Sequence, residues 1–273
     1  MSYAVLMVYV DADSKPEHVV RLAASLADKF SATLTGVSAI PIHPPFLIES
    51  VVIWQATPSD IMELTAALSA KEDWFRNIAG SDDRKLEWRG MLDFPADSLA
   101  REARSADLVV ISQMSGQKEG YGAFDAGEIL LMTGRPVLVV PEGVESLRAE
   151  HVVIGWKETR EARRAVLDAL PFLHEATRVT ITEICERGEE RSAQEHIADV
   201  TRYLTRHRIK SEPRVLFAEE TPSAAQLIKL AQDEGADLLV TGAYGHSRLG
   251  EWMFGGMTHG LLATSPICCL MSH

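Results

Sequence analysis

The sequence predicts two successive doubly wound α/β domains of the Rossmann-like kind, and three observations carry that prediction. Apolar runs of strand length alternate with helical patterns, as in parallel sheets covered by helices on both faces. Two acid-led strands recur at an offset of 130, Ala106-Asp107-Leu-Val-Val-Ile-Ser112 and Ala236-Asp237-Leu-Leu-Val-Thr-Gly242. The segments after them keep that offset: Arg135-Pro136-Val-Leu-Val-Val140 answers Ser265-Pro266-Ile-Cys-Cys-Leu270. Preserved order and spacing mark a tandem duplication, with boundaries placed at 1–145 and 146–273.

Each half opens on a buried-strand pattern, Tyr3–Val10 and His151–Trp156, followed directly by a helical one. The first half then carries an extra stretch over 41–56, including Pro41-Ile-His-Pro-Pro-Phe-Leu-Ile-Glu-Ser-Val-Val-Ile-Trp54. It reads as a packed loop, with a lid or a dimer surface as alternatives, and a helix follows over about 58–79. In the second half the strands fall at roughly 151–156, 178–184, 213–218, 237–242 and 266–271, and the helices at roughly 160–173, 190–207, 223–234 and 256–263. Ile197, Val200 and Leu204 share one face of the second of these helices. Thr221 followed by Pro222 predicts a cap and a fixed first turn for the third.

Composition narrows the function. The chain has 273 residues, a formal charge of −12 and a pI near 5.2, which opposes nucleic acid and anionic lipid as partners. No apolar run is long enough to span a bilayer, and the first residues lack a signal-peptide pattern; a cytoplasmic location is expected. Cys185, Cys268 and Cys269 form neither a disulfide framework nor a spaced metal set, so they read as buried thiols.

The chemistry concentrates in Thr241-Gly-Ala-Tyr-Gly-His-Ser-Arg-Leu-Gly-Glu-Trp-Met-Phe-Gly-Gly-Met-Thr258. This loop follows the fourth strand of the second half and feeds a helix, and ligands of open α/β sheets bind beyond such strand ends. Glycines let backbone N–H groups approach an anion, and the helix start adds partial positive charge. His246 and Arg248 could add more, and an apolar crevice between the first and fourth strands would suit a base. A tight surface loop is the plain alternative. No Gly-Lys-Ser/Thr follows, as a Walker loop requires, and the loop does not follow the first strand, as a dinucleotide fingerprint does.

The spacing Gly242, Gly245, Gly255-Gly256 resembles the G-x2-G-x9-G-[S/T] signature of the universal stress protein family, and the strand ending at Asp11, the Ala-Asp-Leu strands and the Arg-Pro-Val-Leu-Val-Val segment fit as well. The chain is identified as a tandem member. The resemblance implies a five-stranded parallel sheet of order 3-2-1-4-5 in each half, and an adenine nucleotide (ATP, ADP or AMP) bound by the second half in a stress-response or regulatory role. It implies Gly242 and Gly245 on the ribose and phosphate side, Gly255 and Gly256 at the phosphate turn, Thr258 as a further hydroxyl, and the backbone of Ile184 against adenine. No metal is implied beyond nucleotide-associated Mg. Gly256 stands where the family usually has Ser or Thr. Lys157 stands where it often has an Asp that accepts from the base, and Lys cannot accept. Trp156 either walls the base pocket or packs. In the first half Ser112, Ser115, Asp125 and Ala126 occupy the glycine positions, so no nucleotide is expected there. No catalytic set is legible; His246 and His259 near the loop admit at most slow ATP hydrolysis. An interaction protein with vestigial sites is the other reading. The apolar final strands, including Pro266–Leu270, are expected to pair between halves or between chains, giving a pseudo-dimer of the halves or a homodimer.

Overall fold

The computed structural model describes residues 2–12, 14–42, 46–48, 51–54, 56–80, 84–113, 125–245 and 256–273. The first half runs β1 (Val5–Tyr9), α1 (Glu17–Phe30), β2 (Thr33–Ala39), β3 (Phe46–Ile48), β4 (Val51–Trp54), α2 (Pro58–Ala79), β5 (Leu86–Met91), α3 (Pro95–Glu102), β6 (Leu108–Ser112), α4 (Ala126–Met132) and β7 (Val137–Val140). The second runs β8 (His151–Trp156), α5 (Arg160–Asp168), α6 (Leu170–Leu173), β9 (Arg178–Cys185), α7 (Glu190–Arg206), β10 (Glu212–Phe217), α8 (Ser223–Asp233), β11 (Leu238–Gly242), α9 (Met257–Thr264) and β12 (Cys268–Ser272).

Ten of these strands form one sheet of order β10-β9-β8-β11-β12-β7-β6-β1-β2-β5. Within each half every neighbouring pair is parallel and the order is 3-2-1-4-5. The halves meet where β12 and β7 pair antiparallel, Cys269 opposite Val139 and Met271 opposite Val137. The final strands therefore shield each other's open edges, which removes an unpaired ladder from the middle of the molecule.

The duplicated Ala-Asp-Leu motif has a physical reason. The Asp107 carboxylate accepts from Ala4 N–H (2.7 Å) and Val5 N–H (3.0 Å), and Asp237 accepts from Glu150 N–H and His151 N–H (both 3.1 Å). Each acid fixes the start of the first strand beside its own fourth strand, satisfying donors that would otherwise be unpaired.

Both faces of the sheet are covered, and each core runs through both halves. One holds side chains of α1, α2, α5, α6 and α7, the other those of α3, α4, α8 and α9. Across the junction Tyr3, Phe30 and Phe172 form a cluster with edge-on rings 5.0–5.5 Å apart, and Tyr3 Oη donates to Asp168 O at 2.6 Å. Ile197, Val200 and Leu204 are buried together on α7, as their spacing predicts.

Three local expectations are corrected. The helix expected over 160–173 breaks into α5 and α6, because the Pro171 ring has no N–H and conflicts with the carbonyl four residues back. Thr221 does not cap α8: Pro222 holds the cap position with no side-chain bond, and the Thr221 hydroxyl donates to Glu219 (3.2 Å). The stretch expected to be a packed loop contains the antiparallel hairpin β3–β4, whose Val51-Val-Ile-Trp54 run is rich in strand-favouring residues. Among the described residues no helix is long and apolar enough to cross a membrane.

Candidate functional site in the second half

At the carboxyl edge of the second half, β8 and β11 are neighbours whose chains leave in opposite directions along the sheet, to β9 and to β12. This is the switch point at which open α/β sheets bind ligands. Gly242 ends β11, and Gly256 holds the cap position of α9. His246, Arg248 and Gly255, expected to face a phosphate, lie outside the described residues, as does Ser115 in the first half.

The start of α5 decides the shape of this edge. A Cβ on Gly242 would stand 2.5 Å from Ala162 N, 2.7 Å from Glu161 C and 2.9 Å from Glu161 Cβ; one on Gly245 would stand 3.0 Å from both Thr159 Oγ1 and Cγ2, and 3.2 Å from Glu161 Oε2. Backbone atoms at 2.5–2.7 Å cannot yield to a methyl group, so glycine at 242 is required by the protein itself. Thr159 caps α5, its Oγ1 accepting from Ala162 N–H at 3.2 Å.

Three contacts fasten the loop behind these glycines. Ala243 N–H donates to Ser272 O (2.8 Å), His273 Nδ1 lies 3.1 Å from Ala243 O, and Tyr244 N–H donates to Thr258 Oγ1 (3.1 Å). Tyr244 adopts a left-handed φ of 57°, unusual without glycine. Thr258 is buried, and its hydroxyl oxygen accepts from the loop's own backbone. Helix α9 has no side-chain cap, and Gly256 takes an ordinary φ of −57°. Among the described residues none gives the first N–H groups of α9 a capping side chain, which suits an anion.

The sheet separates two of the expected base contacts. Trp156 packs in the core beneath α5 and α7, and its buried indole N–H has no hydrogen-bond partner; Ile184 packs against the opposite core, on the α8 and α9 side. Lys157 follows Trp156 and is exposed. Its charge bears on Glu183, a carboxylate that burial pushes above its usual range.

Glu161 was not singled out by motif. It is 4% exposed and faces Gly245. Burial alone would raise its carboxyl; the paired Arg160 guanidinium and hydrogen bonds involving its own amide and Thr159 outweigh this and hold it below the usual carboxylate range. A negative charge therefore borders the phosphate side of the loop. The signal that would have found it is loop length: residues 157–159 link β8 to α5, whereas residues 10–16 link β1 to α1. In the first half Asp125 caps α4, accepting from Gly127 N–H at 2.8 Å, so a carboxylate fills the helix start that α9 leaves open.

Among the described residues no group of three or more His, Cys, Asp or Glu is arranged to hold a metal ion. The three cysteines are buried and unpaired, and burial pushes the thiols of Cys268 and Cys269 up to about 12.

Residues 175–273 match the model of the Universal stress protein family. No curated protein matches the sequence. A universal stress protein from Archaeoglobus fulgidus superposes with a TM-score of 0.78 at 12% identity, covering 98% of this chain and 95% of its own. A putative universal stress protein from Pseudomonas aeruginosa does so at 0.61 and 11%, covering 99% and 93%. The chain therefore carries a Universal stress protein domain at residues 175–273, set in a fold that solved universal stress proteins share over nearly its full length.

Proposed function

We propose that the second half binds an adenine nucleotide at the β8–β11 edge and that the chain acts as a nucleotide-responsive stress or regulatory module, built as two domains of 1–145 and 146–273. The observation that carries this reading is the start of α9 without a capping side chain, at the switch point, behind a loop with the G-x2-G-x9-G spacing. In this reading the α9 amides and Gly255-Gly256 take the phosphates, Gly242 and Gly245 line the ribose side, and His246 and Arg248 add positive charge. The Ile184 backbone and Lys157 border the base, while Trp156 packs beneath the site. Nucleotide-associated Mg would be held through the phosphates.

One observation favours a second reading, an interaction protein without nucleotide: Gly242 and Gly245 meet α5 directly, and Glu161 borders the loop. Calorimetric titration with ATP, ADP and AMP, against the wild type and Gly245→Asp, separates the two. Saturable heat in the wild type and its loss in the variant are expected; no heat with any of the three nucleotides rejects the binding reading.

A further inference from the structure

Ser192 and His196 stand four residues apart on the first turns of α7, a spacing that stacks two side chains on one helix face. His196 Nε2 lies 3.3 Å from Ser192 Oγ, and His196 Nδ1 lies 3.3 Å and 3.2 Å from the two carboxylate oxygens of Glu183 on β9. The gradient of burial follows the same line. Glu183 is 7% exposed, the His196 side chain 30%, and Ser192 faces solvent.

That order, an accessible hydroxyl, an imidazole and a buried carboxylate, is the arrangement by which serine hydrolases make a nucleophile. The carboxylate selects the tautomer: with Nδ1–H donating to Glu183, Nε2 is left to accept the Ser192 proton. Ser192 lies in the first turn of α7, where helix N–H groups are the natural donors for a developing oxyanion. The ladder of α7 begins with Ala193 N–H to Glu189 O at 3.0 Å, so the amides that precede it, that of Ser192 included, open the helix without an i−4 partner inside it.

We propose that Ser192, His196 and Glu183 form an acyl-transfer site that hydrolyses small carboxylic esters, separate from the nucleotide reading above. Ser192 Oγ adds to the ester carbonyl carbon as its proton passes to His196 Nε2. The carbon–oxygen bond to the alcohol then breaks, and the alcohol leaves with that proton. Water adds to the acyl-serine, His196 carries its proton back to Ser192 Oγ, and the carboxylic acid departs. Ser192 and His196 are the catalytic residues and Glu183 a positioning residue. Glu186, Glu189 and Glu190 crowd this edge, so neutral or cationic esters are favoured over anionic ones.

The test treats the full chain with a fluorophosphonate probe at pH 8, maps the adduct by peptide mass, and follows p-nitrophenyl acetate hydrolysis in parallel. A single adduct on Ser192 is expected. It should be absent in Ser192→Ala and slowed by about a hundredfold in His196→Gln, the usual contribution of a general base. In Glu183→Gln the labelling should slow, and Glu183→Asp, which keeps a carboxylate facing Nδ1, should recover part of the rate; a merely structural Glu183 would show no such rescue. Melting curves of each variant separate lost chemistry from lost fold. A wild type that takes no label at Ser192, or labels it no faster than the unfolded chain does, overturns the proposal. So does a His196→Gln variant that folds and labels at the wild-type rate.

Discussion

Replacing Gly242 by alanine tests whether the glycine loop is held by the protein or by a ligand. The new methyl would stand 2.5 Å from Ala162 N and 2.7 Å from Glu161 C, and neither atom can rotate aside. The start of α5 must shift, at the upper end of the ~1–3 kcal/mol that overpacking costs. The unfolded chain returns about 0.4–1 kcal/mol by losing glycine's freedom, leaving a net loss of about 2 kcal/mol. For a chain of this size that is a fall of roughly 4 °C in melting temperature, measured by calorimetry without nucleotide. Gly245→Ala meets side-chain atoms rather than backbone, Thr159 at 3.0 Å and Glu161 Oε2 at 3.2 Å, and should lose about 1 kcal/mol as the Thr159 cap is disturbed. A Gly242→Ala melting point within about 1 °C of wild type, or a larger fall for Gly245→Ala, would refute this account of the loop.

Thiols near pKa 12 carry roughly a thousandfold less thiolate than ordinary cysteines at a given pH, so at pH 8 Ellman's reagent should leave Cys268 and Cys269 untouched until the chain is unfolded in guanidinium. Tyr3→Phe leaves Asp168 O without its donor at the junction of the halves and should destabilise the chain by about 1–2 kcal/mol in urea titrations. The Glu161 carboxyl lies below its unfolded value, so its stabilisation is present above the ordinary Glu range and is lost as pH falls through the lowered folded value. The urea midpoint of Glu161→Gln should therefore change less between pH 5 and pH 3 than that of wild type. Gly256→Ser restores a capping hydroxyl at α9; ATP affinity by calorimetry should rise by up to about tenfold, while unfolding stability changes by only a few tenths of a kcal/mol.

The parts of this architecture that are local in sequence were legible there. The Asp107 and Asp237 repeats are set by carboxylates that fasten adjacent strand starts, so their chemistry and spacing survive wherever the fold does. The apolar runs of β6, β7 and β11 declare themselves because both sheet faces are covered. What escaped depended on distant partners. Nothing near Gly242 announces Ala162, eighty positions earlier, as the atom that forbids a side chain. The pair Ser192 and His196 is visible as a helical spacing, but Glu183 joins them only because β9 turns that side chain toward α7. Trp156 and Ile184 flank the same strand ends in projection, and the pleat sends them to opposite cores. Pro171 sits inside a stretch that apolar spacing carries as one helix to residue 173, and its missing N–H divides that stretch into α5 and α6.

The difference between the halves now has a common cause. Residues 157–159 are so short a link that α5 begins directly over the end of β11, and Gly242 is what lets it do so. The link 10–16 in the first half is longer, and its fourth strand ends in Ser112, whose hydroxyl donates to Gln113 O at 3.2 Å. A side chain is accommodated there. Glycine at the fourth-strand end thus follows from how soon the first helix starts, and by itself it discriminates poorly between a nucleotide site and a packing junction. The helix starts are the more informative comparison. Asp125 satisfies the start of α4 from within the chain, whereas Gly256 brings no side chain to the start of α9. An anion fits best at a helix start that no described side chain caps, and this contrast between α4 and α9 is what supports the proposed nucleotide site in the second half rather than the first.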